Sequence, residues 1–542
     1  MRFSLFFRRL RPRHYAGGLL VLSLIVGVYG LSLNAVLTVG DFSHWQAWFA
    51  DPYLRRIILF SFAQAFLSAF LSVAIGMIFA RAFFYQNFIG KAWLLKIFSL
   101  TFVLPALVAV FGLLGVYGGS GWLAKSAAWL GLSWQPNIYG LSGILIAHLF
   151  FNIPLAARMF LQGLAAIPNQ QRQLAAQLNI CGWRFIRLIE LPYLRQQLLP
   201  TFVLIFMLCF TSFTIVLALG GGPQYTTLEV AIYQAIVFDF DLPKAALFSL
   251  LQFAFCLVLF GLISRLSNMR ASAVSNKEQW RSKQQPAVQW WQMFVIVSVS
   301  LFIFLPLLNT LISAVFSGYF LSAWQDGQLW RAIGYSVTIA PISALVAVIS
   351  AAALLLLSRQ LTWLHFSHLA NGLMNIGMII LAVPTLVLSI GLFLLLQTLD
   401  FNTAHLFAIV VLCNALSALP FVIRILAAPM NNNMIYYEKL CQSLGVTGWN
   451  RLSLIEWRQL AAPIKYAFAL AACLSLGDFT AIALFGSRDF TSLPYLLYQQ
   501  LGSYRGDQAA VTALILLLFC LGVFWLAERQ DDGKDVNDDS AQ

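Results

Sequence analysis

Apolar residues are gathered along this chain in long blocks separated by short polar segments. Runs of about 20 apolar residues are long enough to cross a bilayer as helices. Twelve are predicted, at 17–38, 55–84, 91–118, 138–166, 197–219, 243–266, 291–317, 331–357, 367–398, 403–428, 462–485 and 507–527. Several exceed the bilayer thickness, which implies tilt or extension beyond it. Pro105 and Pro384 fall inside two of the runs and are expected to kink them. The basic N-terminus precedes the first run as in a signal peptide. No small-residue cleavage site follows, so the first run reads as an uncleaved span.

One long polar stretch interrupts the pattern in mid-chain, and it divides the spans six and six. The expected organisation is a first repeat over 1–266, a linker over 267–290, a second repeat over 291–527 and an acidic, disordered tail over 528–542. The fold class expected is therefore all-α and integral to the membrane.

Composition agrees. The 542 residues would suffice for several soluble domains, but 60% are apolar and only 10% charged. Soluble domains carry about 45–50% and about 25%. The net charge of +13 resembles that of a nucleic-acid binder, yet its placement says otherwise. With the N-terminus in the cytoplasm and alternating spans, 26 of the 33 Lys and Arg residues fall on the inner side. The charge reads as orientation, with both termini inside a bacterial inner membrane. Lipid is the expected surroundings and no nucleic-acid partner is expected. The seven cysteines form no CxxC pair, and a disulfide framework is not expected.

The halves repeat each other. Residues 173–192 align without gaps on 439–458, with identities at Leu174/Leu440, Leu178/Leu444, Gly182/Gly448, Trp183/Trp449, Leu188/Leu454, Ile189/Ile455 and Glu190/Glu456. At the same spacing Pro154 falls on Pro420, Arg158 on Arg424 and Gly220 on Gly486. PALVAVFG (105–112) resembles PTLVLSIG (384–391), and TLEVAIYQ (227–234) resembles SLPYLLYQ (492–499). Each copy holds an even number of spans, so the copies run parallel rather than inverted.

The best-matched block lies between spans, in inner loops expected at 167–196 and 431–461. A helix-forming stretch ends where Asn179 or Gly182, and Gly445 or Gly448, can adopt left-handed backbone. One such loop is an ordinary juxtamembrane connection. Two equivalent ones suit docking of a two-fold soluble partner.

This block resembles the signature loop of bacterial ABC importer permeases: Glu-Ala-Ala, a following Gly, then Ile-x-Leu-Pro. Gln173-Leu174-Ala175 and Lys439-Leu440-Cys441 occupy the Glu-Ala-Ala positions, and Asn179 and Gly445 the Gly position. Ile189-Glu190-Leu191-Pro192 keeps the ending, whereas Ile455-Glu456-Trp457-Arg458 keeps part of it. The first Glu is absent from both copies. VYGGSGWLA (116–124), LGGGPQYTTLEVAIYQAI (219–236) and LYQQLGSYRGDQAAVTALILLL (497–518) resemble the iron(III) and thiamine branch, its thiamine members most closely. The resemblance implies a type I importer permease fold with two fused permease domains. It also implies a cytoplasmic ABC ATPase dimer gripping the loops, a periplasmic substrate-binding protein, and a small-molecule substrate. Thiamine and its phosphates are the substrates implied, with ferric iron as the alternative. ATP and Mg would be held by the partner ATPase, since this chain has no GxxxxGK[ST] phosphate loop. No cofactor, metal or catalytic residue is expected here.

Ionisable and polar residues within spans are candidates for the translocation path, because a charge at the bilayer centre costs about 2.5–3.5 kcal/mol or more. Asp478 is the clearest, with Ser212 as its repeat counterpart beside Thr211. An anionic wall would suit a cationic thiazolium; the alternative is an Asp paired with a donor at a helix end. His148 and Asn414 are repeat equivalents that either line a path or bond a neighbouring helix. His365 and His368 read as an interfacial loop rather than a metal site, and GGGPQ (220–224) as a turn. A secondary transporter would need more coupled charges than Asp478 provides. An intramembrane enzyme would need paired carboxylates, HExxH or Gly-x-Ser-x-Gly, none of which occurs.

Overall fold

The computed structural model describes residues 16–40, 50–101, 103–266, 280, 285–379, 383–396, 402–446, 448–487 and 490–528. The basic N-terminal segment, most of the predicted linker and nearly all of the acidic tail lie outside the described residues.

Among the described residues every regular element is helical. The first half contains α1 (Ala16–Val39), α2 (Pro52–Tyr85), α3 (Lys91–Thr101), α4 (Ala106–Tyr117), α5 (Trp122–Trp129), α6 (Leu141–Ala165) and α7 (Asn169–Gln177). It continues with α8 (Gly182–Phe185), a π-helical turn (Ile186–Glu190), α9 (Leu191–Phe210), α10 (Thr214–Leu219), α11 (Leu228–Val237) and α12 (Leu242–Leu266). The second half contains α13 (Pro286–Val315), α14 (Gly327–Trp363), α15 (Ser367–Ile379), α16 (Thr385–Leu396), α17 (Thr403–Ser443) and α18 (Gly448–Arg451). A second π-helical turn (Leu452–Glu456) leads into α19 (Trp457–Gly477), α20 (Thr480–Phe485), α21 (Leu493–Gly502) and α22 (Gly506–Glu528).

Eleven helical segments among the described residues are long and apolar enough to cross a membrane, and the chain is a multi-pass membrane protein. Among the described residues, the run expected at 367–398 holds two helices, α15 and α16, rather than one. Its counterpart at 91–118 divides in the same way into α3 and α4. Pro105 and Pro384 therefore break their spans rather than kink them. A proline gives its predecessor an extended preference and lacks the N–H that would continue the ladder. Each break leaves its proline immediately before the helix that follows.

The chain forms two compact units. One gathers the described residues of 50–234 and 254–317; the other gathers α1, residues 235–253 and the described residues from Gly318 onward. The first helix of each repeat thus packs within the unit that holds most of the other repeat. In the first unit Gly112 of α4 lies against the Pro306 carbonyl of α13, leaving no room for a side chain. In the second unit Gly391 of α16 lies equally close to Ser32 of α1, whose hydroxyl donates to the Leu388 carbonyl at 3.1 Å.

Equivalent residues make equivalent contacts inside each unit. Asp51 and Asp326 cap α2 and α14 by accepting from Tyr53 N at 2.9 Å and Gln328 N at 2.8 Å. Ser61 accepts from Leu228 N at 2.9 Å, and Ser336 from Leu493 N at 2.8 Å, which caps the short helices α11 and α21. Phe213 packs on Tyr233 with ring centres 5.2 Å apart, as Phe479 does on Tyr498 at 4.8 Å. The repeat seen in the sequence is thus a repeat of atomic contacts.

Candidate functional site

In the first loop α7 ends at Gln177, Leu178 caps it, and the backbone turns through Asn179 at φ +52°. Asn179 N bonds Ala176 O at 3.1 Å and Ile180 N bonds Ala175 O at 2.8 Å, the two bonds of a Schellman cap. In the second loop Gly445 takes φ +64° and Val446 N bonds Cys441 O at 2.9 Å. Both expected break residues are therefore left-handed, and Gly182 also turns at φ +60°. The segments before the breaks differ. Pro168 separates α6 from α7, whereas its equivalent is Met434 and α17 runs on unbroken through Lys439, Leu440 and Cys441. The helix-forming stretch before the break is a separate short helix in the first loop and the end of a long helix in the second.

Each loop turns one face inward and one outward. Ala175 and Cys441, at matched positions, are buried. Leu174 and Leu440 are 55% and 48% exposed, and Leu178/Leu444 and Leu188/Leu454 are exposed in both copies. Gln173, Lys439 and Trp183 are also exposed. Gly448 begins α18, and the side chain of Trp449 lies outside the described residues. Exposed leucines held at equivalent positions by a fixed turn make two matching apolar knobs.

Each loop also carries a buried acid. Glu190 ends the first π-helical turn and is fully buried; Arg81 Nε of α2 donates to it at 2.8 Å and the Tyr85 hydroxyl at 2.6 Å. Arg172 supports the tyrosine, donating to its hydroxyl at 3.3 Å and to the Leu164 carbonyl at 2.6 Å. Glu456 ends the second π-helical turn and is held by Arg359 of α14 at 2.8 Å and Arg451 at 2.7 Å. Arg451 also binds Glu438 at 2.7 Å. Burial works against the charge on Arg451, but the hydrogen bonds and charges of the two glutamates outweigh it and raise its pKa.

Sequence reasoning singled out Glu190 and Glu456 only as identities and missed their partners. Arg81 stands 20 residues after Ser61, and Arg359 stands 23 after Ser336, so repeat alignment does not pair them. The readable signal was an identical acid within two otherwise apolar and basic stretches.

The path candidates separate into two groups. The helix pairs α9/α10 and α19/α20 are interrupted at equivalent points, Thr211–Phe213 and Asp478–Phe479. Asp478 Oδ1 accepts from Thr480 N at 2.9 Å. Oriented to satisfy its neighbours, the Asn414 amide donates to Asp478 Oδ2 at 2.8 Å and accepts from the Ser475 hydroxyl at 2.9 Å. A cavity of about 10 Å³, enough for one water, adjoins them and is bounded also by Ser336 and Ser492. Asn414 and Asp478 are thus brought together. Thr211 and Ser212 are part-exposed at the equivalent break, where Thr211 donates to the Met207 carbonyl of its own helix at 3.0 Å. His148 is buried, 2.9 Å from the Ser68 hydroxyl through Nδ1.

Known proteins resemble this chain over nearly its whole length. The family model of the binding-protein-dependent transport system inner membrane component matches the chain twice, over residues 72–269 and 361–535. The thiamine transport system permease protein ThiP of Haemophilus influenzae is 61% identical over 99% of this chain and 100% of its own length. ThiP of Escherichia coli is 43% identical over 96% of this chain and 97% of its own. ThiP of Brucella abortus is 39% identical over 95% and 94%.

Proposed function

The chain belongs to the family of binding-protein-dependent transport inner membrane components, and from that premise we propose that it is the membrane-spanning subunit of an ATP-driven importer of thiamine. The observation that carries the substrate is 61% identity to a thiamine permease over essentially the whole chain. Two repeats supply two permease halves, so one chain suffices for the pore. The exposed leucines of the two loops offer equivalent docking points to a dimeric cytoplasmic ATPase. That ATPase holds ATP and Mg, and this chain carries no cofactor of its own. The excess of Lys and Arg on the loop side supports a bacterial inner membrane with both termini in the cytoplasm. The opposite face is left to a periplasmic substrate-binding protein.

The interrupted helices support a substrate path. Unwound backbone within a span exposes polar groups only where protein or a water-filled cavity receives them. The Asp478 carboxylate, oriented by Asn414 and Thr480 N, is the group suited to the thiazolium cation. Thr211 and Ser212 provide neutral counterparts at the equivalent break. His148, bonded to Ser68, serves packing.

The test is uptake by proteoliposomes holding this chain with its ATPase and binding protein. Labelled thiamine should accumulate only with ATP, and excess unlabelled thiamine should compete while ferric iron does not. Accumulation of ferric iron without thiamine would overturn the substrate in favour of the iron branch. Competition by thiamine phosphates reports whether they share the path.

A further inference from the structure

The two buried glutamates lie outside the exposed docking faces, yet each joins its loop to a long helix of the same unit. We propose that Glu190 and Glu456 are positioning residues, latches that carry displacement of each loop into α2 and α14. This rests on the reading of the loops as ATPase docking points.

Three observations support it. First, the burial is severe and the bonding close: Glu190 is fully buried with Arg81 at 2.8 Å, and Glu456 is 3% exposed with Arg359 at 2.8 Å. Desolvating an ion pair often costs as much as its attraction returns, and apolar residues of similar volume would hold such a joint as well. A buried pair at the same joint in both repeats therefore points to a role in fixing position. Second, each glutamate is the last residue of a π-helical turn, Ile186–Glu190 and Leu452–Glu456. A π-helical turn interrupts the α-helical ladder and commonly marks functional sites. The covalent connection from loop to α9 or α19 is thus irregular, whereas the ion pair gives a direct connection to α2 or α14. Third, the supporting residues differ. Tyr85 and Arg172 complete the first cluster; Arg451 and Glu438 complete the second. Arg172 and Glu438 occupy equivalent positions with opposite charge, as do Phe185 and Arg451 with one charge between them. Two different sets of neighbours hold the same glutamate against the same long helix.

The experiment uses the reconstituted full complex, with thiamine accumulated per ATP hydrolysed as the readout. That ratio is independent of how much protein inserts, so a merely structural role would leave it unchanged. Glu190→Gln with Glu456→Gln should lower it at least about fivefold, the lower end of ordinary coupling between sites. The ATPase should still co-purify with the variant, because the exposed leucines are intact. Tyr85→Phe and Arg359→Lys keep the buried charges and should lower the ratio by a smaller factor. An unchanged ratio in the double variant overturns the latch. If the double variant does not insert, an unchanged ratio in both milder variants overturns it equally. Failure of the ATPase to associate with the unsubstituted chain would instead defeat the docking reading.

Discussion

Asp478 illustrates how a single residue is fixed from several directions. Thr480 N and the Asn414 amide both donate to its carboxylate, at 2.9 Å and 2.8 Å. Asp478→Asn keeps the shape but turns an amide NH₂ toward one of these donors. A mismatched buried pair costs about 1–3 kcal/mol, too little to prevent insertion of a chain with this many spans. Thiamine uptake should fall while the amount of membrane-inserted protein holds. Normal uptake by the Asn variant, measured as initial rate per inserted protein, would remove any need for the charge. At this scale the sequence was informative about backbone and poor at partners. Asn179 and Gly445 were legible as breaks because few residues tolerate positive φ. Arg81 and Arg359 were not legible, since their glutamates lie about a hundred residues away and ion pairing leaves no periodic trace.

Between elements, proline and glycine decide what hydrophobicity alone leaves open. Hydropathy located 91–118 and 367–398 correctly as apolar, but the number of helices in each was set by Pro105 and Pro384. Pro168 likewise makes a separate helix of α7, where Met434 lets α17 continue. Glycine controls approach: Gly391 and Gly112 let α16 and α4 touch the backbone of α1 and α13. Small residues allow such contacts between membrane helices, where packing rather than water drives association. Gly391→Val should force α1 away from α16 and destabilise the fold by about 1–3 kcal/mol, typical of overpacking. Gly27 of α1 is the control, because a Cβ added there would meet nothing within 4 Å. The unfolding temperature in detergent should fall for Gly391→Val and hold for Gly27→Val. Equal temperatures for both would show that the close approach is dispensable. That Gly391 and Gly112 face helices from the opposite repeat was beyond the sequence, because hydropathy carries no information on which spans adjoin.

At the scale of the whole molecule, duplication is the organising fact. It was visible as matched Pro, Gly, Trp and Glu, and it returns as paired helix caps, paired aromatic contacts and paired left-handed turns. Seven of the 33 Lys and Arg residues lie in the two loops, 167–196 and 431–461, so the positive charge that first resembled a nucleic-acid signal belongs in part to the repeated block. The most direct measurement of the account is ATP-driven thiamine accumulation by the reconstituted complex carrying Leu174→Glu together with Leu440→Glu. Both side chains are exposed, so the fold should survive. Uptake should be lost along with ATPase association, while the variant chain inserts normally. Uptake at the unsubstituted rate, with the ATPase still bound, would contradict the claim that these loops couple ATP hydrolysis to transport.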